Sequence, residues 1–355
     1  MKIKAIKSYL KKMELTKPYT IAYNTYHNVN LAFLEIELEN GIIGYGSGSP
    51  ADEVVGETTQ MTLTNLKTDF LQQFVGRDIR HFQQLIYEAK LKFNQLPGTQ
   101  ATIDIALHDA FGKFLGIPIV SFYGKKIKSL PTSVTIGIKN LKDTLEEANN
   151  YKELGFKVLK VKTGINVEED IERIAKLNER YGNTIKIRVD ANQGYTVLEL
   201  KTFIDATKNY KIELIEQPLK VNNEKELLNL STQERSLIAA DESLKDSKSA
   251  LQMAVGKKPF GVYNIKLMKC GGLMNAKEIA MIAQNASIDL FWGCNDESII
   301  SITAALHAAY SCPNTKYIDL DGSFDLAKDL VTGGFSIEDG VMKINNNPGF
   351  GFNLI

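Results

Sequence analysis

The sequence predicts an α/β protein, a (β/α)7β TIM-like barrel carrying an α+β capping domain. Three observations predict it. After residue 130 short apolar runs alternate with helical patterns; before residue 125 a hairpin signal precedes three helical patterns; and charged residues close successive apolar runs at a nearly constant interval. The boundaries that follow are 1–125 for the capping domain, 126–322 for the barrel and 323–355 for a C-terminal segment that returns to the capping domain.

The capping domain opens with apolar/polar alternation over Lys2 to Lys7. Two β-rich runs, Asn30 to Leu38 and Ile42 to Ser47, then flank Glu39-Asn40-Gly41, an Asn-Gly turn signal that predicts an antiparallel hairpin. Helical spacing follows over Ala51 to Phe74, Ile79 to Phe93 and Gly98 to Leu115, the last with Ile103, Leu107, Ala110 and Phe114 on one face. Strands first and helices second make an α+β unit.

The barrel strands are predicted at Ser133 to Ile138, Lys157 to Lys162, Ile185 to Asp190, Ile212 to Glu216, Leu237 to Asp241, Val262 to Lys266, Asp289 to Gly293 and Lys316 to Leu320. Helical stretches such as Val167 to Arg180, Val197 to Asn209 and Asn275 to Asn285 separate them, which demands parallel strands with crossover helices. Eight such strands close without an exposed edge, whereas an open sheet would need two strand-order halves that the pattern does not contain. The Gly-rich end, Asn347-Pro348-Gly349-Phe350-Gly351, reads as a loop covering the N-terminal domain.

Composition narrows the function. The 355 residues are 44% apolar, enough for a sizeable core, and Lys+Arg and Asp+Glu both number 42, so no net positive field favours a nucleic-acid backbone or an anionic membrane. No apolar run reaches the roughly 18 residues a membrane span needs. The expectation is a cytoplasmic homo-oligomer acting on a small molecule, without nucleic-acid or membrane partners. Cys270, Cys294 and Cys312 form no paired framework and read as buried, silent thiols.

In a parallel barrel the chemistry lies at the carboxyl ends of the strands, and there the sequence places a charged series. Lys160 and Lys162 end the second strand, Asp190 the third, Glu216 the fourth, Asp241 the fifth, Lys266 the sixth, and Asp319 with Asp321 the eighth; the separations from Lys162 to Lys266 are 28, 26, 25 and 25 residues. Three acids on adjacent strands repel one another unless they share a cation, and oxygen-only ligation suits Mg2+ better than Zn2+. The competing reading pairs each acid with a nearby Lys186, Lys211 or Lys245.

Lys160 and Lys162, two apart in a strand, point to the same face, and crowding of two ammonium groups is expected to lower a pKa towards a useful base. Lys266 lies four strands round, on the opposite wall. Two lysines would then flank a substrate whose carboxylate is held by the metal, which stabilises the enediolate formed on proton loss; a base on each face permits removal from one side and return to the other.

Lys160-Val161-Lys162, the spaced Asp190, Glu216 and Asp241, and Asn264-Ile265-Lys266-Leu267-Met268-Lys269-Cys270-Gly271-Gly272 together resemble the enolase superfamily in its muconate-cycloisomerase-like subgroup. Ala101 to Gly116 resembles that family's closing helix, and Gly44-Tyr45-Gly46-Ser47 its mobile loop. The resemblance implies Lys162 and Lys266 as acid/base catalysts, Lys160 as their charge-tuning, carboxylate-contacting partner, and Asp190, Glu216 and Asp241 as Mg2+ ligands. Asp319-Leu320-Asp321 is similar to the Asp-x-Asp of dipeptide epimerases, a pair suited to a free α-ammonium group.

The resemblance therefore implies a Mg2+-dependent dipeptide epimerase, with Thr135, Asn24 and Lys160 joining Asp319 and Asp321 as substrate contacts. Relatives acting on Ala-Glu carry an arginine in the first loop, but here Tyr23-Asn24-Thr25 occupies the Lys17 to His27 stretch and no arginine precedes Arg77. Small or apolar side chains, of Ala-Ala or Ala-Val type, are the resulting expectation. The alternatives are a cycloisomerase, an o-succinylbenzoate synthase or an N-acylamino-acid racemase on the same scaffold, or a barrel that binds metal and ligand without turnover. Among the histidines, His108 and His307 sit in apolar helices and read as structural, leaving His27 as the one that faces substrate.

Overall fold

A computed structural model describes residues 1–21 and 24–355, and side chains outside 17–26. The capping sheet is antiparallel, Ile3–Ile21 with Asn24–Leu38 with Ile43–Gly48. The Asn-Gly turn forms as the sequence dictates: Gly41 lies at φ 83° and Asn40 Oδ1 accepts from the Ile42 N–H at 3.2 Å, setting Glu37 opposite Ile43. The first strand is far longer than Lys2 to Lys7. Its ladder continues to Ile21 opposite Asn24, so Tyr19–Ile21 and Asn24–Tyr26, within the expected loop from Lys17 to His27, are paired strand.

The single helix expected over Ala51 to Phe74 is broken into Asp52–Val55, Thr59–Leu66 and Asp69–Gln72. Gly56 at φ 72° ends the first piece, and Thr58 starts the second by accepting from the Met61 N–H. Between them Glu57 is fully buried and caps another helix, Pro97–Leu115: it accepts from the N–H groups of Gly98 (2.7 Å) and Thr99 (2.9 Å).

Gly44 to Ser47, read as a mobile loop, instead lies within the strand Ile43–Gly48, packed on that helix. The alternate glycines explain the difference, because a Cβ on Gly46 would stand 2.1 Å from the Thr102 carbonyl oxygen and one on Gly44 2.4 Å from that of Ala106. The missing side chains let strand and helix backbones touch. The helix in turn docks on the barrel, where Asp104 accepts from the N–H of Leu273 at 2.9 Å.

The barrel strands are Val134–Ile136, Val158–Lys162, Lys186–Asp190, Ile212–Glu216, Ile238–Ala240, Val262–Ile265, Asp289–Trp292 and Thr315–Ile318, all parallel and paired in sequence order. A parallel bridge from Thr132 to Ile318 joins the eighth strand back to the first. Leu214, Ala239, Val262, Phe291 and Tyr317 form a buried cluster contributed by the fourth to eighth strands. In register, Lys162 faces Asp190 and Asp190 faces Glu216, so their side chains share one layer at the carboxyl rim.

The Gly-rich tail crosses to the capping domain, where Gly349 donates to the Ile117 carbonyl at 3.0 Å and Phe350 to Asp109 Oδ1 at 3.0 Å. Among the described residues no helix is long and apolar enough to cross a membrane.

Candidate active site

The register that aligns the strands brings the charged series together. Lys160 is buried, with its Nζ 2.8 Å from Asp319 Oδ2, 3.1 Å from Glu216 Oε2 and 3.2 Å from Asp190 Oδ2. Lys162, the more exposed of the two, donates to Asp190 Oδ2 at 2.7 Å and to Asn192 Oδ1 at 2.8 Å. Across the barrel, Lys266 Nζ is 3.0 Å from Asp241 Oδ2, while Lys269 holds Asp241 Oδ1. Strand order together with the closing bridge sets the second and sixth strands, and hence Lys162 and Lys266, on opposite walls.

One expectation is corrected. The Lys160 ammonium is pushed well above its ordinary value, not lowered: burial opposes the charge, but Asp319, Glu216 and Asp190 outweigh it. The competing reading, in which the acids pair with nearby lysines, is not met at Lys186 or Lys245. Lys186 reaches Glu213 at 2.7 Å and Lys245 the Val54 carbonyl at 2.7 Å, both away from the trio.

The three carboxylates differ in environment. Burial raises Glu216 to about 8, reinforced by Asp190, while Asp190 stays near 2 because Lys162 and Lys160 overcome its own burial. Asp241 is likewise buried yet held below the usual carboxylate range by Lys266 and Lys269. Among the described residues no three acidic, His or Cys side chains surround one point as a ready cage, since lysine ammonium groups stand between them. The donor set nevertheless fits a hard cation. All its members are oxygens, all are buried, and Glu216 Oε2 accepts no hydrogen bond although Lys160 is close.

Asp319 and Asp321 lie just beyond the eighth strand and are not equivalent. Both oxygens of Asp319 are taken, one by Lys160 and one by the Ser133 hydroxyl at 2.5 Å. Asp321 receives the backbone N–H of Thr135 on Oδ2 at 2.9 Å, and among the described residues the Cys294 thiol, at 4.0 Å, is the one hydrogen-bond donor near Oδ1. Burial and Asp319 raise Asp321 to about 8. Thr135 thus meets the site through its backbone. The side chain of Asn24 lies outside the described residues.

Several site residues were missed. Asn264 donates to Glu216 Oε1, and Gln217, at φ 33°, accepts from the Asp241 N–H at 2.9 Å, tying the fourth strand end to the fifth. Asn192, at φ 40°, donates its N–H to Asp190 Oδ1 at 3.0 Å. Glu242 is buried with an unpartnered Oε2. A signal existed for each: all four lie within two residues of a charged strand end. Trp292 is directed away from the site, its indole N–H bonding Thr315 at 2.9 Å. His108 and His307 are buried and hydrogen-bonded, to Tyr123 (2.6 Å) and the Val120 N–H (3.0 Å), as their helical setting predicts. His27 is exposed on the ribbon.

Comparison with known proteins identifies the family. Residues 5–124 match the mandelate racemase/muconate lactonizing enzyme N-terminal domain and residues 143–355 the enolase C-terminal domain-like family. The L-Lys-D/L-Arg epimerase of Desulforapulum autotrophicum is 49% identical over the whole of both chains. The dipeptide epimerase of Methylococcus capsulatus, crystallised with Mg and L-Arg-D-Lys, superposes with a TM-score of 0.97 at 44% identity, covering 99% of each chain. The hydrophobic dipeptide epimerase of Enterococcus faecalis is 37% identical over 95% of each chain. The chain belongs to the mandelate racemase/muconate lactonizing enzyme family, within the enolase superfamily.

Proposed function

We propose that this isomerase is a Mg2+-dependent dipeptide epimerase that inverts the α-carbon of the C-terminal residue of dipeptides with basic side chains. The observation that carries the proposal is the placement of Lys162 and Lys266 on opposite walls with Asp190, Glu216 and Asp241 at the rim between them. A Mg2+ held by those three carboxylates supplies the charge that makes the proton beside a bound carboxylate acidic.

The chain's own residues do the rest. One lysine takes the α-proton while the other, protonated, returns one to the opposite face, so configuration inverts without bond rearrangement. Lys160, fixed by three carboxylates, contributes positive charge to the substrate carboxylate. Asp321 receives the α-ammonium group on Oδ1, with Oδ2 held by Thr135. An N-acylated amino acid has no α-ammonium group to offer Asp321, which favours a dipeptide over that substrate class.

The basic side-chain preference replaces the expectation of small or apolar ones. Absence of an arginine before Arg77 removes a partner for an acidic side chain only; it leaves cationic side chains as acceptable as apolar ones. Relatives at 49% and 44% identity are named L-Lys-D/L-Arg epimerases. The rim supports them, because Glu242 and Glu297 are buried there without an ion pair to any described lysine or arginine. The test is α-proton exchange in D2O, followed by NMR, over a panel containing L-Lys-L-Lys, L-Arg-L-Lys, L-Ala-L-Ala and L-Ala-L-Val. Fastest turnover is expected with the basic pairs. Fastest turnover with the alanyl pairs refutes the side-chain assignment, and exchange with none refutes the epimerase.

A further inference from the structure

We infer that Ser133 and Arg188 are positioning residues that hold Asp319 against Lys160, fixing one carboxylate of the eighth-strand pair while Asp321 keeps the less engaged oxygen. The inference deepens the epimerase reading and rests on it for one of its two tests.

The seam between the first and eighth strands is thin, made by the Thr132–Ile318 bridge and a 3.2 Å bond from the Ser133 N–H to the Ile318 carbonyl. Arg188, on the third strand, reaches across the interior to that seam. Its Nη1 donates to the Ile318 carbonyl at 2.5 Å and to Ser133 Oγ at 3.0 Å, and its Nε donates to Glu213 Oε2 at 3.0 Å. The guanidinium is almost wholly buried, beside the rings of Tyr317 (5.1 Å) and Phe291 (5.5 Å). A buried cation is costly unless each donor finds an acceptor, so this arrangement is fixed tightly.

Donor chemistry then gives the relay a direction. Guanidinium can only donate, so the Ser133 oxygen accepts from it, and the single hydroxyl proton of Ser133 points the other way, to Asp319 Oδ1. With Oδ2 on Lys160, each oxygen of Asp319 already accepts one close bond. Lys160 passes the constraint on, lying 3.1 Å from Glu216 and 3.2 Å from Asp190. A path of hydrogen bonds and ion pairs thus runs from Glu213 through the barrel to Asp190 and Glu216. Asp321, outside this path, keeps Oδ1 open to the pocket.

The test compares wild type, Ser133→Ala and Ser133→Thr. Removing the hydroxyl should lower kcat for a basic dipeptide by about tenfold or more, the scale of a lost hydrogen bond to a charged group, and threonine, which restores the hydroxyl, should recover it. Wild-type kcat in Ser133→Ala overturns the inference. A crystal structure of EDTA-treated Ser133→Ala gives a readout independent of turnover. The Asp319 carboxylate is expected to have turned off Lys160; retention of the 2.8 Å contact overturns the relay. Should wild type turn over no dipeptide, the functional reading fails and the crystal structure still decides the relay.

Discussion

Replacing Lys266 with alanine separates the two faces of the reaction. Lys266 makes one ion pair, 3.0 Å to Asp241 Oδ2, while Lys269 holds the other oxygen and Gln217 Oε1 accepts from the Asp241 N–H at 2.9 Å. Asp241 therefore keeps its orientation when Lys266 is gone, and Mg2+ affinity measured by calorimetry should change little. Epimerisation needs both lysines, and loss of one positioned acid/base group costs about 10²- to 10⁴-fold, which corresponds to about 3–5 kcal/mol of transition-state stabilisation. Exchange should divide by configuration. In D2O, the epimer whose α-hydrogen faces Lys162 should still lose its proton NMR signal, and the other should not. Epimerisation within tenfold of wild type would refute the two-wall assignment, as would equal loss of exchange from both epimers with Mg2+ binding intact.

Other predictions follow from the same structure. EDTA should abolish turnover and added Mg2+ restore it, with far-UV circular dichroism unchanged. Asp321→Asn should raise KM for dipeptides far more than it lowers kcat, whereas Asp319→Asn, acting through Lys160, should chiefly lower kcat; the reverse pattern contradicts the division of labour. Glu57→Gln should lower stability by about 3 kcal/mol, since a charged acceptor bonded to two helix N–H groups is lost, read as a lower urea midpoint. Burial holds the His307 ring neutral and pushes its pKa down to about 3, against 6.5 unperturbed. A depressed folded value means the contribution is complete above pH 6.5 and lost as pH falls towards 3, at about 1.4 kcal/mol per unit. Denaturation midpoints of His307→Gln should accordingly fall less than those of wild type between pH 7 and pH 5.

What the chain reveals before folding is whatever repeats. Each barrel strand lies within two or three residues of its expected run because the apolar pattern and the charged terminus mark it locally. Asp190, Glu216, Asp241 and Lys266 were visible for the same reason. Contacts closed by the barrel were not. Ser133 and Asp319 are 186 positions apart, and nothing in either neighbourhood signals that one will orient the other. The inverted expectation for Lys160 has the same origin: sequence shows its cationic neighbour two residues away, while the three acids that dominate it arrive from other strands. Gly44 to Ser47, a mobile loop by resemblance, is strand here because its glycines let a helix backbone lie against it, a contact no local pattern announces. The broken helix after Ala51 turns on Gly56 and on a glutamate that caps a different helix.

A crystal structure with Mg2+ and a basic dipeptide such as L-Arg-L-Lys tests the central claim most directly. The account predicts the ion on Asp190, Glu216 and Asp241, and the C-terminal α-carbon between the Lys162 and Lys266 nitrogens, one on each side. Both nitrogens on the same side of that carbon, or an ion held by other residues, would contradict it.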